Sequence, residues 1–206
     1  MTSMNADSRP DRVGGLFDRW APSYDRSVLQ ALLFAPTHVA VLDAAAAAGA
    51  HPNHVLDVGC GTAELLLRAL AAWPDAHFVG VDAAPNMIAA ARRKHAGESR
   101  FRFEVGDAAE LPLDAASVDV SLSTLSFHHW TRQAQGLREM ARVLRPNGLF
   151  VLGDIRPIWL LGRAMSGFHD AGARTRLFED AGFRVVDQRR PWRLAGQVLI
   201  TVGRKA

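Results

Sequence analysis

The 206-residue chain has one cysteine, one tyrosine and no apolar run approaching the ~18 residues of a membrane span. A lone cysteine, Cys60, closes no internal disulfide, so a stapled secreted scaffold is excluded and a reducing cytoplasm fits. The opening MTSMNADSRPDR carries charge with no apolar stretch behind it, so no secretory leader is expected. Net charge is also small, at +3 from 24 Lys+Arg and 21 Asp+Glu. From Arg184 onward, though, six basic residues (Arg184, Arg189, Arg190, Arg193, Arg204, Lys205) face one acid, Asp187. That cluster suits either a polyanion-facing patch or a solvated sheet edge, where cations discourage edge pairing. What is present is ordinary for a globular protein: 49% hydrophobic and 22% charged residues. One domain burying ~70% of its unfolded surface is expected.

Residues 1–12 read as a polar tail and 13–50 as a helical cap of the same domain. In the cap, Pro36 opens an alanine-rich helix with Val39, Leu42 and Ala46 on one face, and Gly49 follows its end. Across 51–206, short apolar runs alternate with helical periodicity. Strands are expected at Val55–Val58, Phe78–Val81, Phe101–Val105, Val118–Ser123, Leu149–Leu152, Phe183–Asp187 and Gln197–Val202. Helices are expected over Thr62–Trp73, from Pro85, over 131–144 and over Arg174–Ala181, with a turn at Arg145-Pro-Asn-Gly148. This alternation predicts a mostly parallel sheet covered on both faces. The last two strands stand ~10 residues apart, too close for a crossover helix, so they should be antiparallel.

The most informative segment is His54-Val-Leu-Asp-Val-Gly-Cys-Gly-Thr-Ala-Glu-Leu65: strand, Gly-x-Gly turn, helix. Glycines there let the backbone turn sharply and touch a ligand. Asp82 follows Gly61 by 21 residues, at the end of the next strand, where a carboxylate can accept from two vicinal ribose hydroxyls. No third glycine stands at Glu64, and acids (Asp57, Glu64) surround the turn. A pyrophosphate prefers an uncluttered helix N-terminus, whereas acids suit a ligand carrying an ammonium. The balance points from NAD toward S-adenosyl-L-methionine.

VLDVGCGTAEL, VGVDAAPNMI, VGDAAELPL, DVSLSTLSFHHW and REMARVLRPNGLF, in that order, resemble class I S-adenosylmethionine-dependent methyltransferases. The small-molecule branch similar to ubiquinone/menaquinone biosynthesis enzymes is closest, and FDRWAPSYD at Phe17–Asp25 matches it too. The resemblance implies a Rossmann-like, doubly wound, seven-stranded sheet, mostly parallel, with a C-terminal antiparallel strand and an N-terminal helical cap. It implies that Asp57, Gly59, Cys60 and Gly61 hold the methionine end of the cofactor and Asp82 its ribose. Ala83 and Met87 would flank the adenine, with Asp107 and Ala108 bonding its edge. Thr124 and Leu125 would lie beside the sulfonium, and Tyr24 would reach toward the carboxylate. Ala63 departs from the family's usual glycine, as do Ala84 from a Ser/Thr cap and Asn147 from a turn glycine.

Methyl transfer needs an aligned nucleophile in a dry pocket, and the expected product is S-adenosyl-L-homocysteine. His128 or His129, just past the fourth strand, could serve as general base, or the pair could orient the loop. The other histidines, His38 among them, read as structural or solvated, and none shows metal-ligand spacing. Residues 155–168 are unusually apolar, and Trp159, Met165 and, from the cap, Trp20 would line an acceptor pocket. The same stretch would also suit a packed helix or a homodimer contact. The expected partner is a small, apolar or aromatic methyl acceptor. A nucleic-acid acceptor is disfavoured because Ser123-Thr-Leu-Ser-Phe stands where an Asn/Asp-Pro-Pro-Tyr would. A binding module without catalysis is the alternative of another class.

Overall fold

The computed structural model describes residues 33–155, 167–191 and 197–206. Their order is α1 (Ala35–Ala47), β1 (His54–Val58), α2 (Glu64–Ala72), β2 (His77–Asp82), α3 (Pro85–Lys94), β3 (Phe101–Val105) and β4 (Val118–Thr124). A 3-10 turn (Phe127–His129) follows, then α4 (Gln133–Val143), β5 (Leu144–Ile155), α5 (Ala171–Asp180), β6 (Phe183–Arg189) and β7 (Val198–Lys205). All seven strands form one sheet ordered β3-β2-β1-β4-β5-β7-β6. Every pairing is parallel except those of β7, which runs antiparallel to both β5 and β6. This is the doubly wound arrangement expected from the alternating pattern.

Strand side chains point alternately to the two faces. Val55, Val120, Leu122 and Val151 pack with residues of α1, α2 and α3; Leu56, Val58, Phe150 and Leu152 pack with α4 and α5. Helix α1 lies close on β5 because position 153 is glycine. A Cβ there would stand 2.7 Å from Val41 Cγ2 and 3.1 Å from Thr37 Cγ2. The buried stripe of α1 includes Thr37, His38, Val41, Ala44 and Ala45, so His38 is carried into the interior. The tail 1–12 and cap residues 13–32 lie outside the described residues.

Three local details differ from expectation. The Arg145–Gly148 turn sits inside β5 as a bulge, with Val118 opposite Leu144 and Val120 opposite Leu149. Asn147 takes a left-handed φ of +64° there, and Arg145 is held to Asp119 at 2.6 Å. Helix α5 begins at Ala171, ahead of the expected Arg174, because Asp170 caps it by accepting from Ala173 N at 2.8 Å. Arg204 and Lys205 are on the interior strand β7, not the sheet edge. They donate to main-chain carbonyls of Asn147, Ala48 and Leu144 at 3.0, 2.9 and 2.7 Å.

Ala63, which departs from the family's usual glycine, is fully buried with φ +70°. An L residue held left-handed carries a strain of ~1–2 kcal/mol that glycine avoids. Ala63→Gly should therefore raise stability by about 1 kcal/mol. Urea unfolding should show a higher midpoint with the slope unchanged, and a midpoint at or below the parent's would refute the strain.

Candidate functional site

The strand order reverses between β1 and β4, so the connections leave their carboxyl ends in opposite directions and open a crevice. A cavity of about 920 Å³, counting its open mouth, occupies that place. Its floor is the turn after β1. Gly59 and Gly61 have φ of +74° and +53°. The amides of Gly59 and Cys60 donate to Val81 O at 2.8 and 3.2 Å. Asp82, at the end of β2, accepts from Gly61 N at 2.9 Å through one oxygen and from Ala84 N at 2.8 Å through the other. The carboxylate thus shapes the turn and also caps α3, in place of the side-chain cap Ala84 lacks.

Of the residues expected to hold a cofactor, Gly59, Gly61, Asp82, Ala83, Met87, Asp107, Ala108, Thr124 and Leu125 all line this cavity. Asp57 and Cys60 line a smaller recess that shares Gly59, Gly61, Thr124 and Phe34 with it. Asp107 is half exposed; it accepts from Ala109 N at 2.8 Å and pairs with Arg132 at 3.1 Å. Leu125 holds φ +51°, backbone strain placed at the cavity wall. Tyr24, Trp20, Trp159 and Met165 lie outside the described residues.

The electrostatics separate the two acids read around the turn. Glu64 is paired with Lys94 of α3. Asp57 is 1% exposed, and its Oδ1 has no hydrogen-bond partner. Burial, aided by the nearby Asp82 carboxylate, pushes the Asp57 carboxyl up to about 8. A buried acceptor left open beside a glycine cradle fits a ligand that brings its own cation. It is Asp57, not Glu64, that makes the recess suited to an ammonium.

The two histidines after β4 part company. His128 does not line the cavity. Its Nδ1 meets Asp154 Oδ1 at 2.7 Å, its amide donates to Asp154 Oδ2 at 2.8 Å, and its ring stacks on Phe168 with centroids 4.4 Å apart. His129 does line the cavity, and burial, followed by the neighbouring His128, holds it down to about 4. Gln133 buttresses the same turn, donating to Phe127 O at 2.9 Å and Gly167 O at 2.7 Å.

Two participants had no signature in the sequence. Ser126 fills the space over Gly59; its Oγ donates to Val58 O at 3.1 Å, shares a hydrogen with Ser123 Oγ at 2.9 Å and accepts from Trp130 Nε1 at 3.3 Å. His38, read as structural or solvated, lines the recess of Asp57.

The family profile described as "Methyltransferase domain" matches residues 55–148. A malonyl-[acyl-carrier protein] O-methyltransferase of Dechloromonas aromatica is 30% identical over 204 residues, covering 92% of this chain and 73% of that protein. The chain belongs to the class I S-adenosylmethionine-dependent methyltransferases. A demethylmenaquinone methyltransferase of Deinococcus radiodurans is 41% identical over 116 residues, 55% of this chain but only about half, 48%, of that protein. A crystal structure of a SAM dependent methyltransferase from Aquifex aeolicus shares the fold at a TM-score of 0.75, covering 92% of this chain and 98% of that one at 18% identity. The family implies S-adenosyl-L-methionine as cofactor. The open Asp57 acceptor and the glycine cradle are a fit for it.

Proposed function

We propose that the chain transfers a methyl group from S-adenosyl-L-methionine to a small acceptor with an apolar or aromatic body. The observation that carries this reading is the cradle of Gly59 and Gly61 flanked by an open, buried Asp57 and by Asp82. Asp57, Gly59 and Gly61 would receive the amino-acid end and Asp82 the ribose, with Ala83, Met87, Asp107 and Ala108 around the base. When bound, the cofactor supplies a methyl group on a positively charged sulfur, ready for in-line displacement. Thr124 and Leu125 would stand beside it. The wall built from Phe34, Leu125 and Trp130 would exclude water and favour an apolar acceptor.

His129 is the base-side residue of this reading. Neutral well below pH 7, it can accept a hydrogen bond from an acceptor O–H or take its proton at the ring nitrogen. His128 is a positioning residue, with Asp154 fixing its ring and its amide. The relatives' acceptors, a demethylmenaquinone in one and a malonyl carrier protein in another, differ widely, so the acceptor is left as a class.

The test is transfer of tritium from methyl-labelled S-adenosyl-L-methionine into a metabolite extract, followed by chromatography of the labelled product. A labelled small molecule supports the reading, while cofactor binding without transfer to any fraction would make this a binding module. Once an acceptor is found, His129→Gln should lower kcat by about 10²-fold and leave the S-adenosyl-L-homocysteine Kd unchanged. Because His129 stays neutral down to about pH 4, the parent rate should show no His-dependent loss until the pH falls below about 5. An inflection near 6.5 carried by His129 would contradict that placement.

A further inference from the structure

Among the described residues only three buried side-chain atoms lack a hydrogen-bond partner: His38 Nδ1, Asp57 Oδ1 and Arg174 Nε. The residues of the first two line one recess, which shares Phe34, Gly59, Gly61 and Thr124 with the cofactor cavity. Buried polar groups are almost always paired, so two open ones at a single empty place point to a missing partner they share. They also differ in kind. The Asp57 oxygen accepts, the more so once a cation beside it favours the ionised form, whereas an imidazole Nδ1 can carry a hydrogen and donate it.

We infer that His38 receives the carboxylate of the cofactor's amino-acid end by donating from Nδ1, opposite Asp57, which accepts from its ammonium. The inference rests on the function proposed above and adds a residue from outside the glycine-turn motif. An α-amino-acid head carries one cation and one anion on the same carbon, which matches one acceptor and one donor facing the same small space.

The placement of His38 is not incidental. It lies on the stripe of α1 that packs on β5 across Gly153, and its ring is 4% exposed with Phe34 edge-on at 6.3 Å. Burial, followed by the charge of Arg68, holds the ring down to about 4, so it is neutral with one N–H to give. Other charges facing the recess are accounted for: Glu64 is paired with Lys94, and Asp82 is engaged with the Gly61 and Ala84 amides. The imidazole would give the carboxylate a donor without adding a full positive charge beside Asp57.

The test is titration calorimetry with two ligands, S-adenosyl-L-homocysteine and 5′-methylthioadenosine, which keeps the adenosine and sulfur but lacks the amino-acid head. His38→Leu, which keeps the bulk and removes the donor, should weaken S-adenosyl-L-homocysteine by about 10- to 100-fold and change 5′-methylthioadenosine by less than twofold. His38→Asn, whose amide nitrogen can stand near the place of Nδ1, should restore most of the affinity. Thermal melts of the free variants identify any that do not fold, and if His38→Leu is one of them, His38→Met takes its place with the same expected outcome. Equal weakening of both ligands, or none of either, overturns the assignment of His38. If the parent protein binds neither ligand, the proposed function fails instead.

Discussion

Asp82→Ala is expected to lower affinity for S-adenosyl-L-methionine by about 100-fold. The carboxylate has two tasks on the two sides of its oxygens. Within the protein it accepts from the Gly61 and Ala84 amides at 2.9 and 2.8 Å, which sets the turn and the start of α3. Toward the ligand it would accept from the ribose hydroxyls. Hydrogen bonds to a charged group contribute ~1.5–3 kcal/mol, so the net loss of one ribose contact is worth between one and two decades in Kd. The rest comes from the turn, whose two amides lose their acceptor. Asp82→Asn separates the two, because it keeps one acceptor oxygen for the backbone. Calorimetry should place it between the parent and Asp82→Ala. Unchanged affinity in Asp82→Ala would remove the ribose assignment.

Gly59→Ala should be the most damaging single-methyl change in the site, costing about 3 kcal/mol or more of stability and with it cofactor binding. A Cβ at this position would lie 2.3 Å from Ser126 Oγ and 2.5 Å from Ser126 Cβ, and φ is +74°. Ser126 has no easy retreat, since its hydroxyl is held by Val58 O, Ser123 and Trp130. The double variant Gly59→Ala with Ser126→Gly should recover the steric part and leave only the backbone part of ~1 kcal/mol. Urea midpoints of the four proteins in this cycle measure the split. A loss below 1 kcal/mol in the single variant would mean that the turn rearranges freely.

Much of the frame was legible because its signals are local. The run Val55–Val58 followed by Gly-x-Gly and an amphipathic helix can fold in few ways, and the short link between the last two strands allowed only an antiparallel pair. What was hidden depends on contacts far apart in sequence. Arg145-Pro-Asn-Gly148 has the composition of a turn, and it is one; that β5 continues through it is decided by pairing with β4 and β7 on either side. His38 in an alanine-rich helix gives no local cue, since the seat of its helix on β5 depends on Gly153, over a hundred residues later. The Ser126–Gly59 contact is equally non-local. Glu64 illustrates the converse: its place beside the turn was read correctly, but its charge is answered by Lys94 on another helix.

The turn after β4 also has an architectural consequence. Just before residues 156–166, Asp154 binds the His128 amide and ring; just after them, Gly167 is held by Gln133 and Phe168 is stacked on His128. Both gateposts of that eleven-residue stretch stand on the same turn, Phe127–His129 and the residues that hold it. The entropy of bringing its ends together is therefore met by anchors outside it. Changes within the stretch would leave both anchors, and the glycine turn after β1, in place.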